Sequence, residues 1–346
     1  LYRRKIANKK MSQEKTKKRI AVLGSGSWGT ALSIVLARNG MSVNLWGFFK
    51  EEIEDMETHK MNTRYLPGIS LPENIYLYTD IAKAIKEIED ILLVVPSNVF
   101  HSTLESIKPH LVKNARISWA TKGFDISRRL LHETVKEIIG DVPMAVLSGP
   151  TFAREVAEGL PTAVTIASNN TSFAKDLADY FHCDAFRVYT SSDLFGVQVG
   201  GTVKNVLAIA VGIADGMGFG ANARAALITR GLAELTRLGI ALGGKMETFM
   251  GLTGVGDLVL TCTDNQSRNR RFGLCIGKGE SRAAAEKSID QVIEGIANAE
   301  LVHFVSQRVG VEMPISEQVY RILYESLSPK QAVLALLNRE RKSEVV

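Results

Sequence analysis

The chain has 346 residues, 45% of them hydrophobic and 23% charged, which is the make-up of an ordinary soluble globular protein and excludes a mainly disordered chain or a small disulfide scaffold. Its length suits two domains sharing a cleft. The formal net charge of +5 is uneven: residues 1–19 hold nine Lys or Arg against the single Glu14, a balance of +8 that leaves −3 for the remainder, so the body of the chain lacks the basic footprint of a nucleic-acid binder.

Residues 1–16 form a basic arm without the apolar core of a secretory signal, and Met11-Ser12 has the form of an internal start. The arm reads as a disordered or start-site segment, with a nucleic-acid or membrane tether as the alternative. From Arg19 onward, short runs rich in β-branched residues alternate with amphipathic stretches. Strands are predicted over 20–23, 42–46, 75–78, 91–95, 115–120, 144–147, 163–167 and 186–189, with helices such as 28–38, 81–87, 100–107 and 128–139 between them. This rhythm predicts an α/β, Rossmann-type, doubly wound and largely parallel sheet over residues 17–191. After Ser191 only helical periodicity remains (194–214, 223–242, 283–287, 299–309 and 316–323), so residues 192–346 are expected to be an all-α domain. The longest uninterrupted apolar run, 206–214, is far short of the roughly 20 residues that span a bilayer, and no membrane insertion is expected.

Cys183, Cys262 and Cys275 are odd in number and lack CxxC spacing, and the six histidines include no HExxH pair. Neither a disulfide framework nor a metal site is expected, and a reducing cytoplasm is the expected location. No internal repeat is present.

Gly24-Ser25-Gly26-Ser27-Trp28-Gly29 matches GxGxxG between a predicted strand and a predicted helix. In that context Gly24 permits the turn, Gly26 admits a pyrophosphate, Gly29 allows close helix packing, and the helix N-terminus offers N–H donors to an anion. The acid usual at the end of the second strand, where it binds the adenosine ribose, is missing from Trp46-Gly47-Phe48-Phe49-Lys50, so both NAD and NADP fit; Lys50 is either a 2′-phosphate contact or a solvated lysine. Pro96-Ser97-Asn98, Thr121-Lys122-Gly123 and Ser148-Gly149-Pro150-Thr151 each follow a strand and should line one cleft. There Lys122 offers a cation, and Gly149 and Thr151 offer backbone donors.

Lys204 is the only charged residue between Asp193 and Asp215, and Asp257 the only one between Glu247 and Asp264. Two lone opposite charges in apolar segments are most cheaply buried as neighbours. A buried lysine loses hydration, and its pKa falls toward the range useful for proton transfer beside a carbonyl oxygen. A structural ion pair is the alternative. After Asp264 comes Asn265-Gln266-Ser267-Arg268-Asn269-Arg270-Arg271, which is either a phosphate site at a helix start or a solvated charged face.

The blocks GSGSWGTAL, WATKG, LSGPTFAREV, GGTVKNV, GFGANARAALITRG, GDLVLTCTDNQSRNRRFG and VIEG, in this order, resemble the bacterial NAD(P)-dependent sn-glycerol-3-phosphate dehydrogenase family from about Arg19 to the C-terminal region. The resemblance implies an oxidoreductase that interconverts dihydroxyacetone phosphate and sn-glycerol 3-phosphate by hydride transfer, feeding phospholipid synthesis. It implies that Lys204 exchanges the proton, and that Lys122, Gly149, Thr151, Asp257, Ser267, Arg268 and Asn269 surround the glycerol phosphate. Ser27, Trp28, Lys122, Ala153, Arg268, Val292 and Glu294 would contact the cofactor. Phe48 stands where relatives often carry a polar or basic side chain near the adenosine phosphate, which leaves NAD or NADP open with NADPH slightly preferred. A homodimer formed through the helical domain is a further implication, and the basic arm has no counterpart in the family.

Overall fold

The computed structural model describes residues 18–289 and 291–340, so the predicted basic arm over 1–16 lies outside the described residues. The β-branched runs form β1 (Arg19–Leu23), β2 (Ser42–Trp46), β3 (Ile75–Tyr78), β4 (Asp90–Leu93), β5 (Arg116–Trp119), β6 (Met144–Ser148), β7 (Thr162–Ser168) and β8 (Phe186–Ser191). Interleaved with them are α1 (Ser27–Arg38), α2 (Lys50–His59), α3 (Ile81–Ala84), α4 (Phe100–Ile107), α5 (Leu131–Ile138), α6 (Ala153–Glu158) and α7 (Thr171–Phe181). The strands make one sheet in the order β3-β2-β1-β4-β5-β6-β7-β8, every pair parallel except β6 with β7. Order reverses at β1, so a crevice opens beyond the carboxyl ends of β1 and β4. Two apolar layers cover the sheet, one centred on α1 and α7 with Leu32, Leu36 and Phe173, the other on α4 and α5 with Phe100, Trp119 and Val135.

Two predicted helices are shorter than their periodicity suggests. The one expected over 81–87 stops at Ala84, and Glu87 turns at φ 58°. The one expected from residue 128 starts at Leu131. Arg128 has φ 61°, and the Asp125 carboxylate accepts from the Arg129 N–H at 2.9 Å, closing a turn in place of a helical one.

After β8 the chain is helical: α8 (Leu194–Gly216), α9 (Ala221–Ala241), α10 (Met246–Phe249), α11 (Asp257–Thr263), α12 (Arg268–Gly277), α13 (Arg282–Ile289), α14 (Glu294–Arg308), α15 (Pro314–Tyr324) and α16 (Pro329–Leu337). α8 is the axis of this half. Taken with its small and polar residues it is longer and more apolar than the uninterrupted run suggested, with mean hydropathy 1.5 over its most apolar window, but 89% of that window is buried in the protein, as in a core helix. α12 crosses it at backbone contact. A Cβ on Gly212 or Gly273 would lie 2.2 Å from the Arg270 or Ile209 carbonyl oxygen, and one on Gly277 would lie 2.2 Å from that of Ile213. The crossing brings the N-terminus of α12 beside the middle of α8.

Candidate active site

The glycine loop after β1 has the shape a dinucleotide needs. Gly24 sits at φ 123° with Val94 O 2.6 Å from where a Cβ would be, and a Cβ on Gly29 would strike Gly24 O at 1.8 Å. Gly26, by contrast, has no atom within 4 Å of its Cβ position, so it faces open space at the mouth of α1. No side chain caps that helix, which leaves its first N–H groups for an anion. Asn62 Nδ2 donates to Ser25 O and to Thr30 Oγ1, both at 2.8 Å, and holds the loop in place. Together these features fit a nicotinamide dinucleotide.

At the tip of β2 the Phe48 ring is 76% exposed and packs edge-to-face against Trp46 and Phe49. Lys50 is paired with Glu54 at 3.3 Å, and Glu52 with Arg64 at 2.6 Å. Lys50 and Arg64 therefore each already have an acid partner.

The chemistry-bearing groups converge where α8 meets α11. One turn of π-helix (Leu252–Gly256) precedes α11, and its Thr253 carbonyl oxygen would lie 2.4 Å from a Cβ on Gly200. That close fit delivers Asp257, only 1% exposed, against α8. Lys204 Nζ donates to Asp257 Oδ1 and, at 2.9 Å, to Thr261 Oγ1. Lys122 Nζ reaches Asp257 Oδ2 at 2.8 Å. The two lone charges singled out from the sequence do meet, and Lys122 joins them, which spacing alone did not indicate.

Burial drives the Lys204 pKa down, the neighbouring Lys122 charge pushes it further, and Asp257 offsets only part, so it falls to about 8. Lys122 is largely buried, but the charge and hydrogen bond of Asp257 outweigh that burial and hold its pKa above the ordinary lysine value, with Glu294 adding to the effect.

At the start of α12, Ser267 Oγ caps the helix by accepting from the Arg270 N–H at 3.2 Å. Arg268 Nη1 donates to Val292 O at 2.8 Å. Asn269 is held between two helices: its Nδ2 donates to Asn205 Oδ1, and its Oδ1 accepts from the Gly295 N–H, both at 2.9 Å. Asn205 in turn donates to Glu294 Oε2 at 3.1 Å. Arg270 points inward to Asp215 at 2.6 Å and to Cys262 O at 3.0 Å, so it serves the fold.

A cleft of about 300 Å³ collects Ser27, Trp28, Lys122, Thr151, Ala153, Lys204, Asp257, Ser267, Arg268, Asn269 and Glu294. The other candidates stand off its wall. Gly24 and Gly29 shape the loop, and Gly149, at φ 155°, lies with its Cβ position 3.0 Å from Ala163 O. Val292 is exposed, supplying its carbonyl to Arg268, and Phe48 lies at the tip of β2. Asn205, Thr261, Tyr65 and Arg154 line the cleft without having been singled out in the sequence, and Gln266 and Arg271 line it from within the 265–271 stretch. Thr261 lies one turn after Asp257, so helical spacing was a usable signal for it, whereas Asn205 is the next residue after Lys204, a position that helical spacing does not mark. Arg154 follows Ala153 in the LSGPTFAREV block, whereas Tyr65 comes from a distant segment that carries no local mark.

Models of the NAD-dependent glycerol-3-phosphate dehydrogenase N-terminus and C-terminus match residues 19–174 and 193–334. The chain is 56% identical to glycerol-3-phosphate dehydrogenase [NAD(P)+] of Pseudoalteromonas translucida over 94% of its length and 98% of the relative. It is 54% identical to the same enzyme of Bartonella henselae over 94% and 97%. It also superposes on the crystal structure of glycerol-3-phosphate dehydrogenase from Coxiella burnetii with a TM-score of 0.92 at 53% identity, covering 93% of this chain and 99% of that one.

Proposed function

The chain belongs to the NAD-dependent glycerol-3-phosphate dehydrogenase family, and from that premise we propose how its cleft works. It is an oxidoreductase that interconverts dihydroxyacetone phosphate and sn-glycerol 3-phosphate with NAD or NADP. The cluster of Lys122, Asp257 and Lys204 carries this reading. Two ammonium groups on one buried carboxylate leave an excess of positive charge at the floor of the cleft, which suits an anionic substrate.

When bound, the nicotinamide supplies or accepts the hydride at the substrate's C2. Lys204 gives a proton to the C2 oxygen on reduction and takes one from it on oxidation. With its pKa lowered to about 8 it remains mostly protonated at neutral pH yet releases the proton readily. Lys122 stays cationic and steadies developing negative charge on the oxygen. Ser267, Arg268, Asn269 and Thr151 bind the phosphate, and that binding places C2 beside Lys204. The glycine loop, Trp28, Ala153, Arg268, Val292 and Glu294 hold the cofactor, with Phe48 at its adenosine end.

This reading also divides the chain into a dinucleotide-binding domain over 17–191 and a helical substrate domain over 192–346. It makes the protein a cytoplasmic homodimer that supplies glycerol phosphate for phospholipid synthesis. The free thiols of Cys183, Cys262 and Cys275 accord with a reducing location.

The test follows oxidation of NADH and NADPH with dihydroxyacetone phosphate by the protein and by Lys204→Ala. The variant should lose roughly 10² or more of the rate. Absence of turnover with either cofactor would refute the reaction, and an undiminished variant would remove Lys204 from it.

A further inference from the structure

Asn298 lies one turn beyond Glu294 on α14, is 0% exposed, and has no hydrogen-bond partner on either Oδ1 or Nδ2. Burying an unpaired amide costs free energy that a leucine of the same shape would not, so packing alone does not explain an asparagine there. Its neighbours suggest a role. Gly123 has φ 147°, and a Cβ on it would lie 2.5 Å from Ser97 Oγ and 3.2 Å from Asn298 Oδ1. The segment carrying Lys122 is thus gripped between the loop after β4 and a helix of the other half. From there the Lys122 chain runs over Gly201 of α8, whose Cβ position lies 3.4 Å from Lys122 Cγ, to reach Asp257.

We propose that Asn298 is a positioning residue: its carboxamide, with Ser97, fastens the Gly123 segment to the helical half and so fixes how near Lys122 stands to Asp257 and Lys204. The inference rests on the proposed role of Lys204. The groups facing that lysine are Lys122 from the loop after β5 and Asp257, Thr261 and Cys262 from α11, while Lys122 itself also faces Glu294 of α14. If Lys122 withdraws, Lys204 loses a like charge and has Asp257 to itself. Both changes favour its protonated form.

Asn298→Leu keeps the shape and removes the polar atoms. Its unliganded Tm should equal or exceed that of the unaltered protein, because an unpaired amide is gone. The limb of the pH profile of kcat/KM for glycerol phosphate oxidation that reports Lys204 should nevertheless move up by about one unit, roughly tenfold in rate at neutral pH, with little change in KM for the dinucleotide. A well-folded Asn298→Leu with an unmoved limb and full kcat would overturn the proposal. Asn298→Ser serves if the leucine does not fold, with the same limb expected to move. Competitive acetylation of Lys204 against pH, read by mass spectrometry, reports the same shift without turnover. It separates failure of this inference from failure of the reaction assigned to the cleft.

Discussion

A lysine serves as an acid at neutral pH only if its environment brings its pKa down while a counter-charge keeps it aligned. Lys204 has both, through burial beside Lys122 and a bond to Asp257. On the role proposed for Lys204, reduction of dihydroxyacetone phosphate requires the protonated form, so its rate should fall as pH rises through about 8, while glycerol phosphate oxidation gains over the same range. Asp257 acts to raise the Lys204 pKa, so Asp257→Asn should move that fall to lower pH as well as reduce kcat; pH–rate profiles in both directions check this. At the tip of β2, Lys50 is already committed to Glu54 and the exposed Phe48 brings no charge of its own. Phe48→Arg should therefore tighten binding of 2′,5′-ADP about tenfold, or 1.4 kcal/mol, and leave 5′-ADP nearly unchanged in calorimetry. Lys204 and Asp257 were legible in the sequence because each is a lone charge in an apolar segment. Lys122 was legible as a loop cation, but not as the second partner of Asp257, since that depends on how two halves of the chain meet.

Helices are set by periodicity, whereas the distance between two of them is set by side-chain volume at the crossing. α8 and α12 meet through Gly212, Gly216, Gly273 and Gly277, and this contact brings Asn269 within 2.9 Å of Asn205. Gly273→Ala places a methyl against the Ile209 carbonyl oxygen. The helices should separate, with a loss of about 1–3 kcal/mol of stability and a higher KM for the phosphorylated substrate. Denaturant unfolding together with KM measured for dihydroxyacetone phosphate checks both, and an unchanged KM in a destabilised variant would detach the crossing from substrate binding. The sequence disclosed the two helices through their composition. It did not disclose the crossing, because glycines at a four-residue interval read equally well as helix weakeners until their neighbours are known.

Across the whole molecule the sheet half contributes Ser27, Trp28, Lys122, Thr151 and Ala153 to the cleft, and the helical half contributes Lys204, Asp257, Ser267, Arg268, Asn269 and Glu294. The change from strands to helices after Ser191 was readable because strand and helix periodicities differ, and eight predicted strands recur in the sheet. The antiparallel pairing of β7 with β6 was not readable, since a buried strand carries the same apolar residues in either direction. A cleft built from both halves couples ligand binding to their mutual stability. A ligand at about 100 times its Kd should add about 2.7 kcal/mol to the folded state. In thermal melts, dinucleotide alone should raise Tm, and sn-glycerol 3-phosphate added to it should raise Tm further. Unphosphorylated glycerol should not, if the groups of α12 and the lysine pair hold the phosphate as proposed. Equal protection by glycerol would mean that the Ser267, Arg268 and Asn269 end of the cleft does not hold a phosphate, leaving only the dinucleotide to bridge the two halves.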